Sequence, residues 1–385
     1  MSEIVDWVQR LKELEQKHVT NVATSFRRIL VPGWEPLNFE GFLRAAAQGY
    51  VPQFGNTPAS FSVLQWLDCP SNETPQILSE LPSQIGALLT LVCDRKVVVL
   101  DEIDGAHEDA VTHTFIPVRQ HADARLVSPI ALKDGETINQ LFSNELSKLC
   151  SLPSKQQTAI IEAINLHYGA VLLYEHDLAA AYTLVVAGIE TLSKTFSTPP
   201  TGWSKWDQSE KWDDFMKEAK LSIDQRSQLR KRLLAETHIL LKQTFVNYAV
   251  QELPDSMWNE DWKEWLYTVD ASAGQYAKDG SWTTDNKVRD HITDDREKLR
   301  LAIRKSYDAR SGFIHQGKRQ INLVSHIQGA LTVDYSQPLP FSFLRSILSA
   351  LIRHELNRQS KSFPFPDVGI VSGPENPVHT KGPTA

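Results

Sequence analysis

Residues 154–196 read SKQQTAIIEAINLHYGAVLLYEHDLAAAYTLVVAGIETLSKTF. Apolar residues recur there at a period near 3.6, which predicts two consecutive helices. Pro153 stands just ahead of the first, with Ser154 as its expected N-cap, and Asp177 is placed to cap the second. From Leu178 to Phe196 the second is apolar on nearly every side apart from Glu190 and Lys194. A helix of that kind has no solvent face and belongs inside a bundle.

The helical period begins near Glu136, with ETINQLFSNELSKLC, and returns after the breaker STPPTGW in SIDQRSQLRKRLLAETHILLKQTFVNYAVQEL, read as one long helix. LPFSFLRSILSALIRHELNRQ closes the bundle. Upstream, an amphipathic N-terminal helix (Ile4, Trp7, Val8, Leu11, Leu14) precedes a Pro- and Gly-broken stretch. SFSVLQWL, GALLTLVC, KVVVLDEI and HTFIPVR then read as strands. The expected fold class is α+β: a mixed α/β region over 1–135, a helical bundle over 136–358 with a Trp-rich insertion at about 198–285, and a Pro/Gly-rich tail over 359–385. Trp258, Trp262 and Trp265 fall at i, i+4 and i+7, a spacing that marks packing about four times as often as a ligand platform.

Composition narrows the function classes. A net charge of −7 argues against a protein that coats nucleic acid with its whole surface. No apolar run approaches the ~20 residues of a membrane span, and the N-terminus lacks the pattern of a signal peptide. Cys69, Cys93 and Cys150 have no metal-ligand spacing and read as reduced thiols, so the expected compartment is the cytoplasm. DEIDGAHEDAVTH and the His354-Glu355 pair of RHELNR match neither the H-E-x-x-H zinc pattern nor a calcium loop. No P-loop, dinucleotide fingerprint or nucleophile elbow occurs, so no metal and no cofactor is expected.

The chemistry-bearing candidate is REKLRLAIRKSYDARSGFIHQGKRQ, residues 296–320, with eight cations against two anions. Leu299, Ala302, Ile303, Ser306 and Tyr307 recur as one helical face, and the segment ends at Arg310, Ser311, Gly312 and His315. Charge alone is equally consistent with a solvated helix face. The Arg-x4-His spacing is also weak by itself: 19 arginines and 12 histidines give about 0.6 chance occurrences. Five residues of regular helix turn by about 500°, leaving Arg310 and His315 about 140° apart. A shared site therefore requires a break near Gly312 or a second chain. Tyr307 is as readily core as site, and Asp308 is placed to pair with Arg304.

SYDARSGFIHQG resembles the Arg-x4-6-His motif of HEPN domains, in particular the ApeA-like HEPN group, in which an aromatic, an acid and Arg-Ser precede an apolar pair, His and Gly. DLAAAYTLVVAGIETLSKTF resembles that group's early bundle helix, with its acidic residue at Glu190. The resemblance covers about residues 150–358, interrupted by the insertion; Gln316 separates His315 from Gly317, where many relatives carry His-Gly directly. It implies a dimerising helical bundle in which Arg310 and His315 of both chains face one cleft. Such proteins often act as metal-independent endoribonucleases in toxin, antiphage or abortive-infection systems, which leaves room for an antitoxin or sensor partner.

The residue chemistry is compatible with that expectation. RNA carries its own nucleophile, the 2′-OH. An imidazole titrating near neutrality can move protons, and a guanidinium can stabilise the phosphoryl transition state. Ser311 would support Arg310, and Arg300, Arg304, Lys305, Lys318 and Arg319 would hold the RNA backbone. The alternative is a non-catalytic HEPN module that dimerises or binds RNA within a defence or regulatory assembly, because activity does not follow from fold.

Overall fold

The computed structural model describes residues 3–17, 22–32, 43–51, 59–70, 80–93, 96–99, 135–174, 176–236, 240–260, 287–318 and 334–359. The described part is mainly helical. In chain order the helices are α1 (Glu3–Gln16), α2 (Leu81–Cys93), α3 (Gly135–Cys150), α4 (Ser154–Leu173), α5 (Leu178–Phe196), α6 (Ser209–Glu218), α7 (Ile223–Ala235), α8 (Leu241–Gln251), α9 (Val288–His291), α10 (Arg296–Gln316) and α11 (Phe341–Gln359). The backbone of β1 (Val22–Pro32), β2 (Leu43–Val51), β3 (Ala59–Pro70) and β4 (Val98–Val99) pairs as one sheet in the order β2-β3-β1-β4. β1 runs antiparallel to β3 from Val22 opposite Pro70 to Pro32 opposite Ala59.

The helix α5 is the axis of the molecule. It packs against α4, α8, α10 and α11, and Tyr182, Val185, Val186, Ile189 and Leu192 are buried within it. Burying an aliphatic side chain of this size contributes roughly 1.5–3 kcal/mol, so α5 is held by tertiary packing more than by its own propensity. Its start is fixed as expected: the Asp177 carboxylate accepts from the backbone N–H groups of Ala179 and Ala180, at 3.1 Å each. Gly188 permits the closest approach to α11, because a Cβ there would lie 2.7 Å from Leu348 Cδ2.

Several expectations are corrected. GALLTLVC is the greater part of α2 and not a strand. Leu81, Ile85, Leu88, Leu89 and Val92 are buried at helical spacing, and Ala87 and Leu91 are buried as well. Burial on all sides erases the periodicity that separates helix from strand. Pro153, not Ser154, occupies the N-cap of α4, without a side-chain capping bond. The long helix expected from Ser222 to Leu253 is two helices, because the chain leaves helical geometry at Glu236 (ψ 88°) and α8 begins at Leu241. Trp258 lies in a short 3-10 turn, Asp255–Asn259. Trp262, Trp265, HTFIPVR, the acidic 101–113 stretch and the tail beyond 359 lie outside the described residues.

A single buried cluster runs through the helices. Trp7 of α1, Leu88 of α2, Phe142 of α3, Phe245 of α8 and Leu351 of α11 all belong to it. The helix α8 comes from the expected insertion, yet it lies between α5 and α10 with Phe245, Tyr248 and Ala249 in the core.

Candidate functional site

The helix α10 is built between two strong caps. Asp295 accepts from the N–H groups of Glu297 and Lys298 at its start. At its end Gly317 turns left-handed, with φ 63°, and donates to Phe313 while the Lys318 N–H donates to Gly312. Glycine takes that conformation without the Cβ clash of other residues. Gly312 is therefore inside a continuous helix, and the break that a site within one chain would require does not occur. A single helical glycine costs only about 1 kcal/mol relative to alanine, which the packing of α10 absorbs. Apart from the backbone of its own helix and its chain neighbours, no described atom lies within 4 Å of where its Cβ would be.

With the helix intact, Arg310 and His315 point about 140° apart. Arg310 turns inward. Its Nη2 lies 3.8 Å from Glu190 Oε2 on α5, whose other oxygen holds Lys194 Nζ at 2.6 Å. Glu190 is 7% exposed. Among the described residues, Arg310 Nε and Glu190 Oε2 are both out of contact with solvent and without a hydrogen-bond partner. Charged groups at such positions are costly to leave unpaired, so this pair is incompletely satisfied by the described residues. The Tyr307 phenol lies half-buried beside it; burial raises its pKa, Glu190 adds to the rise, and Arg310 opposes it.

His315 is exposed on the last turn of α10, and Ser311 is half-buried between the two directions. Leu301, Lys305, Asp308, Gly312 and His315 fall within one outward stripe of about 80°. Within one chain, Arg310 meets Glu190, and His315 does not share that face.

The expected RNA-holding cations separate into two groups. Arg300 donates to Asn247 Oδ1 on α8 at 2.6 Å, and Arg304 pairs with Asp207 at 2.9 Å. Both clamp α10 to its neighbours instead of facing outward free. Asp308 pairs with Lys242 at 2.6 Å, not with Arg304. Lys305 and Lys318 are exposed and have no ion pair among the described residues. Arg319 lies outside the described residues.

Two arrangements escaped the sequence reading. One is the Glu190–Lys194 ion pair, whose i, i+4 spacing was the available signal. The other is a polar cluster of Tyr248, Glu252, His354, Glu355 and Arg358, assembled from α8 and α11. Nothing in sequence brings Glu252 to the RHELNR word. Cys150, a free thiol, is pushed up to about 12 by burial, with Lys12 opposing, so it is protonated and inert at neutral pH. No described helix is long and apolar enough to cross a membrane. No family model matches the chain, no curated protein does, and no solved structure does.

Proposed function

We propose that the protein is a metal-independent endoribonuclease of HEPN type, working as a homodimer and serving as a toxin or an antiphage, abortive-infection effector. The N-terminal α/β region would sense the trigger or a partner, and the helical bundle would carry the chemistry. The observation that carries the reading is the meeting of Arg310 with Glu190 across α10 and α5, with one buried polar atom of each left unpaired. A guanidinium held loosely near the exposed end of α10 is available for a phosphate oxygen, and Glu190 orients it.

In this mechanism the 2′-oxygen attacks phosphorus as His315 takes its proton. Arg310 stabilises the charge on the pentacoordinate phosphoryl group, and the P–O5′ bond breaks as a proton from water reaches the leaving oxygen. The products are a 2′,3′-cyclic phosphate and a 5′-hydroxyl. The 140° divergence on one helix means that the cleft takes His315 from a second copy of the chain. Lys305 and Lys318 are the described cations placed to attract the RNA backbone.

The test is incubation of the purified chain with RNA in EDTA. Wild type should cleave, and Arg310→Ala and His315→Ala should each lower the rate about 100- to 1000-fold. Equal survival of RNA with all three proteins ends the enzyme reading. A second reading, a non-catalytic module that binds RNA or dimerises, is favoured by the inward engagement of Arg310. RNA binding without cleavage, retained in His315→Ala, would select it.

A further inference from the structure

We propose that Glu252, His354 and Glu355 form a binding site for a divalent transition-metal cation of the Zn2+ type, set between the C-terminal ends of α8 and α11. His354 and Glu355 lie in the incomplete RHELNR word, and Glu252 arrives from the C-cap of α8 as the third ligand. One ligand atom from each of the three lies within 4.8 Å of the others. His354 Nε2 is 3.5 Å from Glu252 Oε2. Two ligands bound tetrahedrally at ~2.0–2.1 Å stand ~3.4 Å apart, so this edge of the site is preformed.

The buried carboxylate supplies an independent pointer. Glu355 is fully buried, and its Oε1 accepts from the Tyr248 hydroxyl at 3.1 Å and from Arg358 Nη2 at 3.0 Å. Its Oε2 accepts no well-aligned hydrogen bond among the described residues and sees no solvent, although Arg358 Nη2 lies 2.8 Å away. Tyr248 thus orients the carboxylate from behind, as outer partners of metal ligands do. Glu252 also stands at the negative end of the α8 dipole. Two carboxylates and a helix C-terminus face one guanidinium, so negative charge is in excess.

Arg358 is the internal competitor. Its Nη1 lies 2.7 Å from Glu252 Oε2, so its guanidinium bridges the two carboxylates where a cation would sit. The side chain is 35% exposed on the outermost turn of α11 and can swing into solvent when a dication replaces it. Mixed imidazole and carboxylate donors suit Zn2+, Co2+ or Fe2+; Mg2+ and Ca2+ take all-oxygen sets. The site is remote from the proposed RNA cleft. Arg296, at the start of α10, bonds the carbonyls of Val250 and Leu253 beside Glu252, and Arg310 lies about 21 Å further along the helix. The bound ion would pin α8 to α11 and take no part in cleavage.

The experiment is calorimetric titration of the EDTA-stripped full chain with Zn2+ and, separately, Mg2+, with Co2+ absorption as a report on coordination. Wild type should bind one Zn2+ at a site that His354→Ala and Glu252→Gln each weaken at least tenfold and Arg358→Gln tightens at least tenfold. Co2+ should show d–d bands in wild type that His354→Ala removes, and Mg2+ should give no heat. His354 and Glu252 are partly exposed, at 27% and 28% of their side-chain surface, so those variants should fold, as circular dichroism will check. Zn2+ binding that is the same in wild type, His354→Ala and Glu252→Gln overturns the proposal, and so does the absence of binding in both wild type and a folded Arg358→Gln.

Discussion

Ser306 joins three elements through one hydroxyl. Its Oγ donates to the Ala302 carbonyl at 2.9 Å and accepts the Leu339 N–H at 3.0 Å, just before α11 begins. The Leu339 carbonyl in turn accepts the Tyr182 hydroxyl from α5 at 2.9 Å. Ser306 is fully buried, so Ser306→Ala leaves the Leu339 N–H without a partner where water cannot replace it. The expected cost is about 1–3 kcal/mol, seen as a lower urea midpoint at unchanged slope. A midpoint within error of wild type would mean that the hydroxyl is not the element linking these segments. The residue scale was partly legible: Leu299, Ala302, Ile303 and Ser306 are buried on the face their spacing marked. The inward turn of Arg310 was not legible, because its partner Glu190 stands 120 positions away and a charged residue gives no periodic signal of burial.

At the scale of the element, α10 shows how much a cap decides. The hydrogen bond from the Lys298 N–H holds the Asp295 carboxyl below its ordinary pKa of 3.8, slight desolvation opposes it, and the Glu297 N–H adds to the lowering. A depressed folded pKa contributes stability that is fully present above the unfolded value and lost as pH falls through the folded one. Stability should therefore drop below about pH 4 in part through this cap. Asp295→Asn keeps a capping acceptor but cannot titrate. The difference in stability between wild type and Asp295→Asn should shrink as pH falls from 5 to 2.5, measured by urea unfolding at each pH. A difference that stays constant would remove the cap from the acid response. Sequence located α4, α5, α10 and α11 because each keeps a polar stripe or a clear cap. It missed α2, which is buried on every side from Ile85 to Val92, and it ran α7 into α8 because both sides of Glu236 are rich in good helix formers.

Across the whole molecule, the first helices are packed into the bundle core. The guanidinium of Arg353 on α11 donates to the Leu91 carbonyl on α2 at 2.6 Å, and Trp7 is fully buried in the shared cluster. The hydrophobic period changes from 2 to 3.6 near Glu136, but such a change marks a change of element and does not show where a core ends. The proposed chemistry makes a demand at this same scale, since the continuous α10 separates Arg310 from His315 and only a second copy can reunite them. Two inactive parents, Arg310→Ala and His315→Ala, each lack one function in both chains of a dimer. A mixed dimer carries one Arg310 and one His315, and if both face a single cleft it should cleave RNA at least tenfold faster than either parent. Differently tagged chains, refolded together and isolated by both tags, provide the measurement, with light scattering to establish the dimer. If wild type cleaves and the isolated mixed dimer is no faster than its parents, the two-chain site is wrong and both residues must act within one chain.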